Sequence, residues 1–333
     1  MAITVQEIAE KLQLSKSTVS KALNNASDVN ENTRKMVVDE AIRMGYNLKN
    51  LKTQAKKRLC IFIENMDYDN IEQFAYEIIL GFKSEALQNN YDVDIVPFTM
   101  NNKTKYKYDD YLLDNKYSGG FLLGFSFHDS FIQQLNNTIY PTVLLDNYID
   151  NENVAWVGTD SYEGIQKAVN YLISQGHTKI ALLNGGYNSR VSHERFYAFH
   201  AAMADHNLTV PDELIGRGDY TENCAERIVP GFLKYDVTAI VCANDKMAFG
   251  AIRELRRLGK SVPEDVSIIG YDNLPLASYT YPALTTIHQS RLELGKAAFF
   301  VLQKMFDGIP INKMLLKPRL IIRDSVSCII KEK

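Results

Sequence analysis

The chain has 333 residues, of which 46% are hydrophobic and 23% are charged, and its formal net charge is −3 at pH 7. This composition provides for sizeable buried cores and excludes an intrinsically disordered chain. No early segment joins a basic start to a long apolar run, and no stretch approaches the roughly 20 apolar residues that a bilayer requires. We therefore expect a cytoplasmic protein without membrane segments.

The charge is divided unevenly along the chain. Residues 1–58 carry 11 Lys and Arg against 6 Asp and Glu, whereas the remainder carries 26 against 34. Because phosphate contacts supply much of the affinity for DNA, a basic segment on an acidic body directs that segment to the duplex. The alternative is a solvated basic face with no partner.

Residues 3–24 predict two short helices joined by a tight turn. Thr4 with Glu7 three residues later predicts a capping box, and Ser15 with Thr18 can open the second helix. One inner face is shared by the apolar residues Ile8, Ala9, Leu12, Leu14, Val19 and Leu23. Together these features indicate a helix-turn-helix module.

A third helix is predicted over residues 30–45, capped by Asn30 with Thr33 and ended by Gly45. Its inward-facing residues are predicted to be Met36, Val37, Ala41 and Met44. We expect this helix to complete the core of the small module.

Residues 46–58 lose the periodic apolar pattern and concentrate lysines, which suits a linker lying near phosphates. The sequence therefore predicts three parts: a DNA-binding domain, a linker and a large remainder. Their bounds are 1–46, 47–58 and 59–333.

From residue 59 onward, short β-rich runs alternate with helical patterns, which predicts parallel sheets covered by helices in two α/β units. The first unit has predicted strands 59–64, 93–98, 120–125 and 142–145, and helices 74–90, 106–115 and 128–137. The second has helices 162–175, 193–206, 222–235 and 246–258, and strands 179–183, 214–216, 239–243 and 266–270. Pro230 is expected to kink its helix.

The sequence offers no support for an enzyme, a metal site or a cofactor. It contains no G-x-S-x-G, no H-E-x-x-H and no phosphate loop, and the pair His193 and His200 lacks a third metal ligand. Without C-x-x-C spacing, the cysteines are expected to be buried free thiols. They are Cys60, Cys224, Cys242 and Cys328.

Four later stretches, in this order behind the helix-turn-helix, resemble the LacI/GalR family of bacterial transcriptional regulators. They are GHTKIAL at 176–182, TAIVCANDKMA at 238–248, VPEDVSIIGYD at 262–272 and PALTTI at 282–287. The resemblance implies a two-lobe sensor of the periplasmic-binding-protein-like type I fold, with the chain crossing between lobes three times. It divides the remainder into lobe 1, about 59–157 plus 288–318, and lobe 2, about 158–287 plus 319–333. Residues 289–305 would return to the first lobe, and a last strand near 320–323 would close the second.

Lys16, Ser17 and Lys21 project from the second helix opposite its apolar face, and a helix of this size fits the major groove. They are the candidates for base contacts; the alternative for each lysine is a solvated helix face. The resemblance assigns phosphate contacts to Thr4, Ser15, Asn24 and Thr33.

Two positions depart from the family pattern. Gln13 stands where the turn usually has glycine, so a left-handed backbone there costs on the order of 1 kcal/mol. The linker reads YNLKNLKTQA at 46–55, where relatives typically have Tyr-x-Pro-Asn-x-x-Ala-Arg-x-Leu with a leucine that enters the minor groove. Our hypothesis is that this protein bends its operator less and relies on linker lysines such as Lys52. The alternative is that Leu51 replaces the missing leucine.

Ligands of two-lobe α/β proteins bind beyond the carboxyl ends of the strands, where the sequence places Asp146, Asn244 and Asp272. The resemblance assigns these three residues to the effector site together with Arg195 and Tyr220. Carboxylates, an amide, an arginine and an aromatic ring suit a sugar-like polyol.

Each of these residues also has a structural alternative. Asn244 could only cap the next helix, Asp272 a turn, Arg195 could pair on a surface and Tyr220 could belong to the core. Asp160 is expected to cap the helix that follows it. Residues 65–67 are weaker candidates for the opposite wall.

The sequence therefore favours a DNA-binding regulator, acting as a repressor and as a homodimer on pseudo-palindromic double-stranded DNA, whose operator affinity is controlled by a small carbohydrate effector. The alternative is a solute-binding protein of sugar transport, which would need an export signal and no basic module. Whether the effector induces or corepresses is left open, as are its identity and the operator sequence.

Overall fold

The computed structural model describes residues 3–23, 26, 28–44, 46, 56–98 and 106–329. The chain forms two compact units, Met1–Lys57 and Arg58–Lys333. Among the described residues, no helix is long and apolar enough to cross a membrane. Several sequence predictions concern residues outside these ranges: Asn24, Gly45 as the end of the third helix, the linker lysine Lys52 and the alternative wedge Leu51.

The first unit contains helices α1 (Val5–Leu12), α2 (Lys16–Leu23) and α3 (Glu31–Arg43). The predicted capping box is confirmed, because the Glu7 carboxylate accepts from the Thr4 amide at 2.6 Å and the Thr4 hydroxyl accepts from the Glu7 amide at 3.3 Å. Ser15 Oγ accepts from the Thr18 amide at 3.0 Å, and Asn30 Oδ1 accepts from the Thr33 amide at 2.8 Å. All three helix starts are therefore fixed by local side-chain caps.

A small core joins these helices. Its buried residues are Ile8, Ala9, Val19, Ala22, Leu23, Val29, Val37 and Ala41. The prediction that Met36 faces inward is wrong, since its side chain is 48% exposed. Gln13 adopts the predicted left-handed conformation, with φ 54°, where α1 ends.

The second unit contains two sheets, and we call the part built on each a lobe. The strands of lobe 1 are β1 (Lys57–Ile63), β2 (Tyr91–Pro97), β3 (Tyr117–Leu123), β4 (Thr142–Leu145), β5 (Val154–Thr159) and β11 (Lys313–Leu316). Those of lobe 2 are β6 (Ile180–Asn184), β7 (Ile215–Arg217), β8 (Ala239–Cys242), β9 (Ser267–Asp272), β10 (Thr285–His288) and β12 (Arg319–Ile321). Lobe 1 has strand order β11-β5-β4-β3-β1-β2, and lobe 2 has order β12-β10-β9-β8-β6-β7.

Helices cover both faces of each sheet. In lobe 1, α4 (Phe74–Gln88) and α11 (Arg291–Phe306) pack on one face, and α5 (Tyr108–Asp114) and α6 (Ser130–Gln133) on the other. In lobe 2, α7 (Ser161–Ser174) and α8 (Arg190–Asp205) pack on one face, and α9 (Cys224–Phe232) and α10 (Asp245–Arg257) on the other. Because helices cover both faces of the inner strands, β1, β4, β6 and β8 are mostly buried and read as hydrophobic runs.

The chain passes between the lobes after β5, after β10 and after β11, so the three crossings are confirmed within residues 154–321. Strand β12 pairs antiparallel with β10, and the other described pairings are parallel. The carboxyl ends of the parallel strands in both lobes supply residues to one cavity. This arrangement positions the candidate site.

Some sequence predictions differ from the structure. Strands β5, β10 and β11 were not predicted, and α8 begins at Arg190, three residues before the predicted start. The helix containing Pro230 ends at Phe232 and continues as a single 3₁₀ turn. Three cysteines are buried as expected, but the expectation for Cys328 is wrong because it is exposed.

Candidate DNA-reading helix and effector cleft

The helix α2 carries the predicted DNA contacts on its open face. Lys16, Ser17 and Lys21 are all exposed, whereas Val19 and Leu23 are buried in the module core. The same helix therefore separates a packing face from a polar face that is available to a duplex.

Thr4, Ser15 and Thr33 lie at the starts of α1, α2 and α3, respectively. Their amides or side chains already take part in capping, and helix starts favour anions because their first backbone N–H groups lack partners inside the helix. These three of the positions predicted for phosphate contacts therefore lie where a helix presents positive partial charge.

Lys21 is held in a local ion pair. Its Nζ lies 2.5 Å from Asp28 Oδ2, and both side chains are more than half exposed. The lysine also lowers the pKa of Asp28 by donating this hydrogen bond. To contact a base, Lys21 would have to break its ion pair with Asp28.

A cavity of about 480 Å³ lies between the lobes. All five predicted effector residues line it: Asp146, Arg195, Tyr220, Asn244 and Asp272. The weaker candidates Asn65, Met66 and Asp67 line it as well. Each wall therefore combines polar groups with apolar surface, as ligand pockets usually do.

Asp146 is held at the end of β4 in a left-handed conformation, with φ 53°, and its amide donates to Val157 O at 2.9 Å. Gly158 on the adjacent strand leaves room for the carboxylate, since a Cβ there would lie 2.3 Å from Asp146 Oδ1. The neighbouring glycine thus allows the aspartate side chain to lie against the strand.

Asp272 ends β9, with φ 120°, and its Oδ1 accepts from Gln289 Nε2 at 2.7 Å. The neighbouring Asp245 is fully buried and lies outside the cavity lining; its two oxygens accept from Thr286 Oγ1 and the Leu274 amide at 2.6 and 2.7 Å. Asp245 therefore holds the loop after β9, while Asp272 faces the cleft.

Arg195 is 3% exposed and extends from α8. Its guanidinium carbon lies 3.8 Å from the centroid of the Tyr271 ring, and its Nη1 donates to Ala243 O. The surface-pair alternative for Arg195 is wrong, because this buried arginine is stacked and hydrogen bonded inside lobe 2.

Tyr220 has φ 68°, and its hydroxyl shares hydrogen bonds with Ser189 Oγ at 2.7 Å and Ser192 Oγ at 2.6 Å. Asn244 Oδ1 accepts from the Met247 amide at 2.8 Å, and Asn244 Nδ2 donates to Tyr220 O at 3.1 Å. Asn244 therefore caps α10, as the structural alternative for this residue predicted. It also lines the cleft and positions Tyr220.

The environment of the cleft shifts the protonation of its carboxyl groups. Burial raises the pKa of Asp146 to about 7, and the positive charge of Arg195 opposes this shift. Burial likewise raises the pKa of Asp272 to about 6. Asp219, which also lines the cavity, behaves in the opposite way, because a hydrogen bond from Thr221 lowers its pKa. The pKa values of Asp146 and Asp272 therefore lie above the usual range of an aspartate.

Arg190 and Gln289 are among the cleft residues that sequence reasoning missed. Gln289 follows the unpredicted strand β10, so the rule that residues after strands line the cleft could have found it. Arg190 is the first residue of α8, and the predicted helix began too late to include it. Asp160 caps α7 as predicted, accepting from the Glu163 amide at 2.9 Å.

This set of groups can bind a compact polar molecule. Carboxylates accept from hydroxyls, an arginine donates, and Tyr220, Phe74 and Phe125 offer apolar faces. Among the described residues, no group of three or more His, Cys, Asp or Glu side chains is arranged to hold a metal ion.

Comparison with known proteins matches residues 4–47 to the family model described as bacterial regulatory proteins, lacI family. Residues 169–326 match the periplasmic binding protein-like domain. The HTH-type transcriptional repressor CytR of Escherichia coli (strain K12) is 31% identical over 333 aligned residues, which cover 97% of this chain and 96% of CytR. The chain belongs to the LacI family.

Solved structures of LacI-family proteins share the fold. The lac repressor dimer bound to operator and the anti-inducer ONPF superposes with a TM-score of 0.70 at 24% identity, covering 98% of this chain and 100% of that one. A LacI family regulator from Enterococcus faecium with bound ribose gives a TM-score of 0.68 at 25% identity, covering 82% and 100%. The predicted family and two-lobe fold are confirmed.

Proposed function

We propose that this LacI-family chain is a transcriptional repressor whose affinity for a pseudo-palindromic operator is controlled by a sugar or sugar derivative in the interlobe cleft. The observation that carries the proposal is the convergence of Asp146, Arg195 and Asp272 with an aromatic face on one cavity. The relative with bound ribose and the repressor CytR support the ligand class and the activity.

The DNA contacts and the domain division are part of this proposal. Lys16, Ser17 and Lys21 would read base edges. Phosphate contacts would come from Thr4, Ser15, Asn24, Thr33 and Lys52. Residues 47–58 would link the DNA-binding domain 1–46 to the sensor 59–333. A homodimer would match the two halves of the operator, as the operator complex of the lac repressor dimer suggests.

The test has two arms on the purified full chain. The first selects binding duplexes from a random DNA pool and looks for a palindromic consensus, with Lys21→Ala as the variant expected to weaken selection. The second screens sugars, phosphosugars and nucleosides by thermal shift, with Asp146→Asn as the variant expected to lose the response. A sugar that also changes affinity for the selected duplex would complete the support.

The alternative outcomes are distinct. A chain that binds a sugar but selects no duplex would support a solute-binding protein of sugar transport. A chain that selects a duplex but responds to nucleosides and to no sugar would overturn the ligand class and retain the repressor.

A further inference from the structure

Arg190, at the start of α8 in lobe 2, contacts two aromatic rings of lobe 1. Its guanidinium carbon lies 3.8 Å from the centroid of the Trp156 ring on β5 and 5.9 Å from that of the Tyr148 ring. A guanidinium over an indole face is attractive, and tryptophan is the best aromatic partner. Because Arg190 also lines the cavity, this contact joins the lobes at the effector site itself.

Few other groups hold the guanidinium in place. Its Nη2 pairs with Glu194 Oε1 at 2.8 Å, one helical turn along α8. Its Nη1 is buried and has no hydrogen-bond partner among the described residues. The Trp156 side chain is 5% exposed and belongs to a strand paired on both sides. The arginine is therefore positioned by its own helix and by a ring fixed in the other lobe.

Further contacts, including two hydrogen bonds, also join the lobes. The Phe127 amide donates to Asn188 O at 3.3 Å, and the Leu276 amide donates to Glu72 Oε2 at 3.0 Å. Each is a single hydrogen bond, and the second is exposed to solvent. The stacked pair of Arg190 and Trp156 adds a contact whose ring is nearly fully buried.

We propose that Arg190 is a positioning residue that holds the two lobes together through Trp156. Separation of the lobes would expose the Trp156 face and leave the guanidinium without its ring. The effector would then act on a cleft already biased toward the closed form, so less of its binding free energy is spent on closure. This regulatory role rests on the proposed function. The contact between Arg190 and Trp156, which we call the clamp, can be measured without DNA or effector.

The test measures how easily a reagent enters the cleft. The reporter is Ser126→Cys, which lines the cavity in lobe 1, in a full-length chain carrying Cys328→Ser to remove the exposed native thiol. The rate of reaction with a thiol reagent is compared between this parent and its Arg190→Ala derivative. We expect at least a threefold faster reaction, together with a shift in emission from the single tryptophan of the chain.

The matched control is Lys313→Ala. Lys313 lies on β11 within lobe 1, with its Nζ 6.0 Å from the same indole centroid, so its removal takes a cation from Trp156 without touching lobe 2. For Lys313→Ala we expect the tryptophan emission to shift, and the thiol reagent to react with the introduced cysteine at the same rate as in the parent. Equal acceleration in both variants would overturn the clamp.

Milder variants keep the test decisive if Arg190→Ala does not fold. Unfolding would show itself by reaction of the buried Cys60, Cys224 and Cys242. Arg190→Lys keeps the charge but loses the planar group, so it should label faster than the parent and slower than a folded Ala variant. Labelling of Arg190→Lys at the parent rate would overturn the proposal.

The outcome is also separable from the proposed function. If Arg190→Ala opens the cleft while the chain selects no duplex and binds no sugar, the repressor proposal fails and the clamp stands. If sugar-controlled DNA binding is observed but labelling is unchanged, the clamp fails and the repressor proposal stands.

Discussion

Gln289 and Asp272 are joined by two hydrogen bonds: the Gln289 side chain donates to Asp272 Oδ1 at 2.7 Å, and the Gln289 amide donates to Asp272 O at 3.3 Å. Gln289 lies in the passage from β10 to α11, where the chain leaves lobe 2 for lobe 1. A carboxylate of the cleft is therefore bonded directly to an interlobe segment. A displacement of Asp272 would act directly on that segment.

The carboxyl groups of the cleft predict how stability depends on pH. The pKa of Asp146 is raised to about 7, well above its usual value near 3.8, so between these pH values the folded chain holds a proton that the unfolded chain has lost. The free energy of unfolding should therefore fall as pH rises from 4 to 7, by at most about 1.4 kcal/mol per pH unit. Asp146→Asn has no carboxyl group at this position and should not lose stability in this way. The melting temperature of Asp146→Asn minus that of the parent should therefore increase between pH 5 and 8.

Two further variants check this assignment in the same thermal unfolding series. For Asp272→Asn, the difference in melting temperature from the parent should reach its plateau about one pH unit lower, since the pKa of Asp272 is raised to about 6. Asp219→Asn should show a constant difference over pH 5–8, because the pKa of Asp219 is lowered. Parallel pH curves for the parent and Asp146→Asn would contradict the prediction.

Gly185→Ala should disturb the aromatic wall of the cleft. A Cβ at Gly185 would lie 2.2 Å from Tyr220 Cζ and 2.5 Å from Ser192 Oγ, so the ring and its hydroxyl partners would have to move. Overpacking of this kind costs about 1–3 kcal/mol. Gly186→Ala is the matched control, because a Cβ there meets only Gly218 O at 3.7 Å. Thermal unfolding should separate the two variants, and equal losses would argue against a fixed Tyr220 ring.

Asp28→Asn should strengthen binding to a selected operator duplex. The change frees Lys21 from its 2.5 Å ion pair and removes a negative charge close to the reading helix. Exposed ion pairs are worth at most about 1 kcal/mol, so we expect a gain of up to about fivefold that shrinks with added salt. Fluorescence anisotropy titrations at two salt concentrations measure it. Asp39→Asn on α3 makes the same charge change without removing the partner of Lys21. An equal gain in affinity for Asp39→Asn would show that only the general change in charge matters.

Gln13→Gly should stabilise the helix-turn-helix by about 0.5–1 kcal/mol, because Gln13 has φ 54° and glycine adopts this conformation freely. Gln175, at the end of α7, has φ −86°, so Gln175→Gly should destabilise the sensor instead. Amide exchange in α1 and α2 of the full chain reports the first effect, and the melting temperature of the sensor reports the second. Slower exchange is expected for Gln13→Gly; faster exchange would refute the strain assigned to the turn.

The features that were predicted well are local in sequence. A cap needs only residues three apart, so Thr4 with Glu7 and Asn30 with Thr33 could be identified without a structure. The cleft residues Asp146 and Asp272 could be placed because each directly follows a run of buried strand residues. Family resemblance supplied Arg195 and Tyr220, which no local pattern indicates.

The features that were missed depend on distant partners. Strand β10 contains Thr285 and Thr286, which are fully buried although they are polar. Their hydroxyls are satisfied by Arg323 and by Asp245, 38 and 41 residues away, and a local pattern does not reveal such partners. Trp156 and Arg190 likewise meet only once two separate lobes have formed.

The bonding of Asn244 limits how the specificity of this cleft can be altered. Its amide oxygen starts α10 and its amide nitrogen holds the Tyr220 carbonyl, so a substitution made to suit another ligand would also release a helix and a loop. The lobe 1 wall offers Met66, Phe74 and Ser126 instead. Redesign for a new effector, whether by selection in nature or in the laboratory, is best begun on that side, where the scaffold of lobe 2 is left intact.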